Sequence, residues 1–312
     1  MTSPDVPAAP PSDDARLAAL LDVLDLRELS SGTATAPGGS GVLVDTSEDA
    51  FVTGSEPAPG GRVFGGQVLA QAIVAATRTV TDERSLHSMH GYFLRPGDPS
   101  VPIELVVERL RDGRSFSARR THAVQGGKPI LSMIASFQVA DDGLEHAEPA
   151  MAVPAPETLP STADLLGGVD HPFARYSAFG RPVDVRHVAD PIYLRAAGEH
   201  VAHQAVWVRA VGTMPDDLAL HRAVLAYISD LALLETVLRR HGLSWVSPGL
   251  KMASLDHAMW WHRPARVDEW LLYVQRSPSA QGGRALTEGR FFTRDGALVA
   301  SVAQEGMVRA PS

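Results

Sequence analysis

The chain repeats itself. Arg95-Pro96 recurs as Arg263-Pro264, 168 residues on. The same offset lays IELVVE over WLLYVQ to within a position, and AVQGGKPILSMIAS over FFTRDGALVASVAQ, with turn on turn and Ala135 on Ala303. An offset of 164 lays Phe64-Gly65-Gly66 over Ile228-Ser229-Asp230. A matching dipeptide is cheap by chance. Agreement of turns and strands over about forty positions without a gap is not, and it requires one supersecondary unit used twice.

The content of the unit follows from its patterning. FGGQVLAQAIVAATRTV (64–80) reads as a helix whose glycines and alanines permit close approach to a sheet. Alternating segments follow: LHSMHGYFL, IELVVERL, SFSARRTHAV and ILSMIASFQV, joined by turns such as RDG and QGGKP. After HQAVWVRAV, the second copy has the apolar run AYISDLALLETVL (226–238), then SLDHAMWWHR, EWLLYVQRS, RALTEGRFFT and LVASVAQEGMVR. That run predicts a buried helix with Asp230 in its first turn. A long helix followed by antiparallel strands, duplicated, predicts an α+β fold in which each curved sheet wraps a helix and the two sheets pair to remove edges. This is the double hotdog architecture. The predicted organisation is a disordered tail over 1–13, an N-terminal hotdog over 14–140, a linker over 141–185 and a C-terminal hotdog over 186–312. A helix is expected from Ala15, capped by Asp13-Asp14, and a Gly/Ser/Thr/Pro-rich passage runs from its end to Gly61.

Composition removes several function classes. The net charge is −8 and no Lys/Arg-rich run stands against it, so nucleic acid is not an expected partner. There is no cysteine, hence no disulfide, thiol nucleophile or CxxC metal site. No apolar run is long enough to span a bilayer. The acidic, proline-rich start MTSPDVPAAPPSDD lacks the order of a signal peptide, so the cytoplasm is the expected compartment. The motifs GxSxG, GxGxxG and GxxxxGK[ST] are absent, as is HExxH, so neither a metal nor a nucleotide cofactor is expected.

Each half serves as a control for the other. Asp230 stands where the first half has Gly66, Ser254 where it has Leu86, and Gln304 where it has Ser136. The second half has gained an acid, a hydroxyl and an amide. Together they can hold a water: the carboxylate accepts its proton, and the other two orient it. Near a helix N-terminus the aspartate is also favoured in its charged form. Singly, each residue has a plainer reading, as a helix cap or a satisfied polar group. The trio is what points to chemistry. His257 and His262, and His87 and His90, sit on strands among aromatic neighbours and read as packing residues. Asp256 and His257 are adjacent on a strand and point to opposite faces, so they are no dyad.

FGGQVLAQA, LHSMHGYFLRPGD, LRDGRSFSARR, GKPILSMIASFQ, MPDDL, ISDL, SLDHAMWWHRP and VASVAQEG together resemble the acyl-CoA thioesterase II family, the TesB type, from about residue 14 to 309. The resemblance implies a double hotdog fold, hydrolysis of fatty acyl-CoA to free acid and CoA, and an Asp–Thr–Gln set that binds the attacking water. The Asp falls on Asp230 and the Gln on Gln304. The Thr falls on Ser254, which keeps the hydroxyl and loses the methyl that restrains its rotamer. Backbone N–H groups of Gly65 and Gly66 are candidates to polarise the thioester carbonyl. Arg95 and Arg119 are candidates to meet phosphates. Hotdog proteins associate through their sheets, so a homo-oligomer, dimer or tetramer, is expected. Two rival readings remain. A hotdog hydratase needs a His and an acid in a different motif, which is absent. A non-catalytic acyl-CoA sensor is opposed by the retention of Asp230 and Gln304.

Overall fold

Small residues become a helix and alternating residues become strands, in the same order twice. The computed structural model describes residues 10–29, 49–57 and 61–310. The first half runs α1 (Asp13–Leu24), β1 (Arg27–Glu28), β2 (Asp49–Thr53), α2 (Gly65–Thr77), β3 (Arg84–Phe93), β4 (Ile103–Asp112), β5 (Phe116–Gln125) and β6 (Lys128–Val139). Two short helices follow, α3 (Thr162–Leu166) and α4 (Pro172–Phe179). The second half runs β7 (Val183–His187), β8 (His203–Ala210), α5 (Leu218–Ser229), α6 (Glu235–Arg240), β9 (Lys251–Ser254), β10 (Asp256–Trp261), β11 (Leu271–Gln281), β12 (Arg284–Thr293) and β13 (Leu298–Arg309). Among the described residues no helix is long and apolar enough to cross a membrane.

The strands form one sheet in the order β1-β2-β4-β5-β6-β3-β10-β13-β12-β11-β8-β7, with β9 pairing to β13. The order reads as its own mirror about the β3–β10 pair. Ala258 pairs with His90, its counterpart at the 168 offset, and Asp256 and Trp260 pair with Tyr92 and Ser88 on either side. A pseudo-two-fold axis therefore passes between His90 and Ala258. The helices lie on one face. α2 packs on β3 to β6, α6 on β8, β11 and β12, and α5 lies along α2. This is the double hotdog, with the core between sheet and helices. Leu69 and Ile73 of α2 are wholly buried, each contributing about 1.5–3 kcal/mol.

The α2–α5 approach depends on what α2 lacks. Ala70, Ala72, Ala75 and Ala76 are fully buried. A Cβ on Gly66 would lie 2.5 Å from the Tyr227 carbonyl oxygen of α5, and one on Gly65 would lie 2.7 Å from Asp230 Oδ2. Only glycine permits this contact.

The run 226–238 is not one helix. α5 begins at Asp217, whose side chain accepts from the Ala219 and Leu220 N–H groups, and it stops at Ser229. Asp230 is its C-cap, not a first-turn residue. Ala232 then takes φ +61° before α6 begins. That left-handed turn has no glycine or proline to announce it, and apolar periodicity runs straight through it. At the 164 offset α2 therefore falls on the end of α5, the turn and α6, rather than on a single helix. The segment expected as an aperiodic linker includes α3, with a Ser161–Asp164 capping box, and α4, with Pro172 in its first turn. Helices of 5 and 8 residues are too short to declare a period. α1 is capped by Ser12, with Asp13 and Asp14 in its first turn rather than ahead of it. Most of the tail expected over 1–13 lies outside the described residues.

Gly66→Ala is expected to lose about 1–3 kcal/mol of unfolding free energy, because its methyl meets backbone that has nowhere to go. Gly54 has no atom within 4 Å of such a methyl, so Gly54→Ala is the matched control and is expected to be near neutral. Equal denaturation midpoints for the two variants would contradict the close-approach account.

Candidate active site

Four elements converge where the two halves meet. α5 ends at Asp230, β9 ends at Ser254, β13 supplies Gln304, and α2 begins at Gly65-Gly66. The Gly66 N–H, second on α2, donates to Asp230 Oδ2 at 2.9 Å. Ser254 Oγ donates to Asp230 Oδ1 at 3.2 Å. The Gln304 amide Nε2 donates to Ser254 Oγ at 2.8 Å. The three residues singled out by comparing the halves are thus in one hydrogen-bonded line, although they are far apart in sequence.

The electrostatics differ from the expectation in an instructive way. At the C-terminus of α5 the local dipole disfavours a carboxylate. The helix end that favours it belongs to the other half: the N-terminus of α2, whose first N–H groups have no intrahelical partner. Burial dominates. It raises the Asp230 carboxyl from its ordinary 3.8 to about 6, against the lowering effects of Ser254, Gln304, the Gly66 N–H and the Arg181 charge. An acid at that value is ionised at neutral pH and still a capable base.

His257, expected as a packing residue, joins this line. It is buried on β10, with Nδ1 2.6 Å from Gln304 Oε1 and Nε2 2.8 Å from Ser229 Oγ. Burial lowers it to about 4, so the ring is neutral. A signal was present in the sequence: alternation puts His257 on the buried side of Met259 and Trp261, where a lone ring requires polar partners. Asp256 faces the other way and accepts from the Glu305 N–H at 2.7 Å.

The remaining candidates divide. The Gly66 N–H is occupied by Asp230. Gly65, one residue earlier, makes no such bond among the described residues. Arg95 lines the pocket and donates to the Pro129 carbonyl at 2.8 Å. Arg119 is not in the site. It is 1% exposed and spends its donors on Thr79, Arg111, Ala118 and Asp112. Strand alternation turns Arg119 inward, and its neighbours in RDGRSFSARR disguise that in the sequence.

Asp230, Ser254 and Gln304 open into a cavity of about 780 Å³. Phe93, Ile130, Phe173, Leu234 and Trp245 give it apolar walls, and Arg62, Arg95 and Arg181 give it positive charge. α4 and the Trp245 loop form part of the wall, so the connecting segment contributes to the site. A second cavity, about 910 Å³, is lined by the ion pairs of Arg266 with Asp268 at 2.9 Å and Arg294 with Glu157 at 2.6 Å, and by the acids Glu269 and Asp295.

Comparison with known proteins agrees with this fold. The family model described as acyl-CoA thioesterase matches residues 180–307, and that described as acyl-CoA thioesterase N-terminal domain matches 54–138. Acyl-coenzyme A thioesterase 8 of Homo sapiens is 41% identical over 263 residues, covering 80% of this chain and 82% of the relative. Acyl-CoA thioesterase 2 of Haemophilus influenzae is 39% identical over 254 residues, covering 80% and 88%. A crystal structure of an acyl-CoA thioesterase II from Mycobacterium marinum, 41% identical, superposes with a TM-score of 0.73 over 94% of this chain and 99% of its own. A hot dog protein from Alicyclobacillus acidocaldarius, at 18% identity and a TM-score of 0.72, shares the fold.

Burying Asp230 has a cost that a neutral isostere escapes. Below about pH 4 the carboxyl is protonated in both folded and unfolded states. As pH rises the unfolded chain ionises first, and stability drains until the folded carboxyl ionises near 6. Asp230→Asn keeps an oxygen for the Gly66 N–H. Its advantage in unfolding free energy over the parent is expected to grow from about pH 4 to pH 7 and level off near about 3 kcal/mol. Parallel stability curves for the two proteins across that range would contradict the buried, raised carboxyl.

Proposed function

The chain belongs to the acyl-CoA thioesterase family and is a thioester hydrolase; from that premise we propose that it hydrolyses fatty acyl-CoA by direct attack of a water held by Asp230, Ser254 and Gln304. The observation that carries the reading is a buried carboxylate with its pKa near 6 at the junction of an apolar cavity and three arginines. The acyl chain occupies the apolar part. Arg62, Arg95 and Arg181 meet the CoA phosphates.

Asp230 takes a proton from the water as its oxygen bonds to the thioester carbonyl carbon. The Ser254 hydroxyl and the Gln304 amide hold that water in line. Negative charge moves to the carbonyl oxygen, where the Gly65 N–H at the start of α2 receives it. The tetrahedral intermediate collapses, the C–S bond breaks, and the Asp230 proton passes to the leaving sulfur. The products are a free acid and CoA, with no acyl-enzyme.

The outer face of the sheet supports association as a homo-oligomer. Tyr92 is 63% exposed, and Trp260 and Ile134 are exposed beside it. Light scattering is expected to give a dimer or tetramer.

CoA release from acyl-CoAs of graded length, read with a thiol reagent, tests the activity without background, since the protein has no cysteine. Turnover is expected with a length optimum. Asp230→Ala is expected to lose about 10³-fold or more in kcat while remaining folded; turnover like that of the parent would sink the assignment. The carboxyl must be ionised to act, so kcat/KM is expected to rise with pH through about 6 and then level. Ser254→Thr is expected to retain activity, whereas Ser254→Ala loses about 10²-fold. Tight acyl-CoA binding with no CoA release would establish the sensor reading.

A further inference from the structure

A glutamine amide has two ends of nearly equal size and opposite function. With its NH2 toward Ser254, Gln304 leaves the serine proton free to point at Asp230. Turned over, it would set a carbonyl oxygen beside the carboxylate and draw the Ser254 proton to itself. Shape does not distinguish these states, so something in the structure has to.

The partner at the other end of the amide is His257, and we propose that His257 is the positioning residue of this site: its Nδ1–H holds the Gln304 oxygen and thereby turns the amide NH2 toward Ser254, Asp230 and the water. The inference rests on the water-attack reading above. It follows from the direction of the bonds. An ionised Asp230 accepts from Ser254, so Ser254 accepts from the Gln304 NH2 at 2.8 Å. The Gln304 oxygen, 2.6 Å from Nδ1, then requires a proton on Nδ1. The neutral ring then leaves Nε2 without a proton, so the Ser229 hydroxyl, 2.8 Å from both Nε2 and the Ala226 carbonyl, gives its one proton to Nε2 and not to the carbonyl. Ser229 immediately precedes Asp230, and its carbonyl accepts from the Tyr273 hydroxyl at 2.8 Å. One ring thus sets both the orientation of the amide and the end of the helix that carries the base. His257 does not line the cavity, so it acts through Gln304 and not on substrate. The groups facing Asp230 from its surroundings are the Gly66 N–H of α2, Ser254 of β9, Gln304 of β13, Tyr273 of β11 and the Arg181 charge.

Two amide substitutions separate positioning from bulk. His257→Asn keeps an N–H donor at the Nδ1 position. His257→Gln moves it to the Nε2 position, toward Ser229. In the full-length protein His257→Asn is expected to keep kcat within about fivefold, and His257→Gln to lose about 100-fold in kcat with KM little changed. In His257→Gln the acid limb of the pH profile is expected to move upward, because Asp230 loses donors that lower its pKa. Equal impairment of both variants, or a His257→Gln variant with the parent's kcat and acid limb, overturns the proposal. A measurement on the unmodified protein stands beside these. Long-range proton–nitrogen correlation on 15N-histidine-labelled protein is expected to show the buried, neutral ring as the Nδ1–H tautomer, and the Nε2–H tautomer overturns the proposal. Asp230→Ala is assayed in parallel: turnover there overturns the water-attack reading itself, whereas a dead Asp230→Ala with an indifferent His257→Gln overturns only the role of His257.

Discussion

The structure turns on one hydrogen bond, from the Gly66 N–H to the Asp230 carboxylate. The two residues stand 164 apart, the offset that lays one half of the chain over the other. They are counterparts that meet near the pseudo-two-fold axis. Such a meeting has room for one acid. A Cβ at Gly66 would strike the Tyr227 carbonyl and one at Gly65 would strike Asp230 itself, and two carboxylates there would repel. The duplicated fold therefore has an asymmetric site for a steric and electrostatic reason. One half gives up its side chains so that its helix end can face the acid of the other.

That arrangement explains how a buried carboxylate is kept usable. The end of α5 works against its charge, and the low-dielectric surroundings work against it more. The start of α2, Ser254, Gln304 and Arg181 work the other way. Burial wins, but only to about 6, which leaves Asp230 ionised and basic. A surface aspartate would be ionised but a poorer base; an isolated buried one would keep its proton. Both halves are needed for this arrangement, because the carboxylate comes from one and the helix end that tempers it from the other.

Much of this was legible in the sequence. Strands announced themselves by alternation, and the Gly126-Gly127 turn by glycines that take φ +54° and +73°. The repeat supplied the architecture, and the difference between its halves supplied Asp230, Ser254 and Gln304. What escaped had no local signature. The break at Ala232 is imposed by packing on a run without glycine or proline. The helix end that faces Asp230 belongs to a segment 164 residues away, so the dipole argument was right in kind and attached to the wrong helix. Arg119 resembled a phosphate ligand because it sits among other arginines in RDGRSFSARR, and its inward turn is set by register. His257 could be placed on the buried face, but its partner Gln304 lies 47 residues on and is brought to it only by the β10–β13 pairing.

In the proposed mechanism Asp230 activates water and does not itself attack the thioester. A single turnover in oxygen-18 water, with enzyme in excess over acyl-CoA, separates the two chemistries. Activation of water places one oxygen-18 atom in the product acid and none in the protein. Attack by the carboxylate forms an anhydride: water that opens it at the Asp230 carbonyl places the label in Asp230 and releases unlabelled acid, and water that opens it at the acyl carbonyl labels the acid only after CoA has already left. Labelled acid that forms in step with CoA, and an unlabelled Asp230 peptide by mass spectrometry, are expected; label in that peptide, or CoA released ahead of acid within the turnover, is the result that rules water activation out.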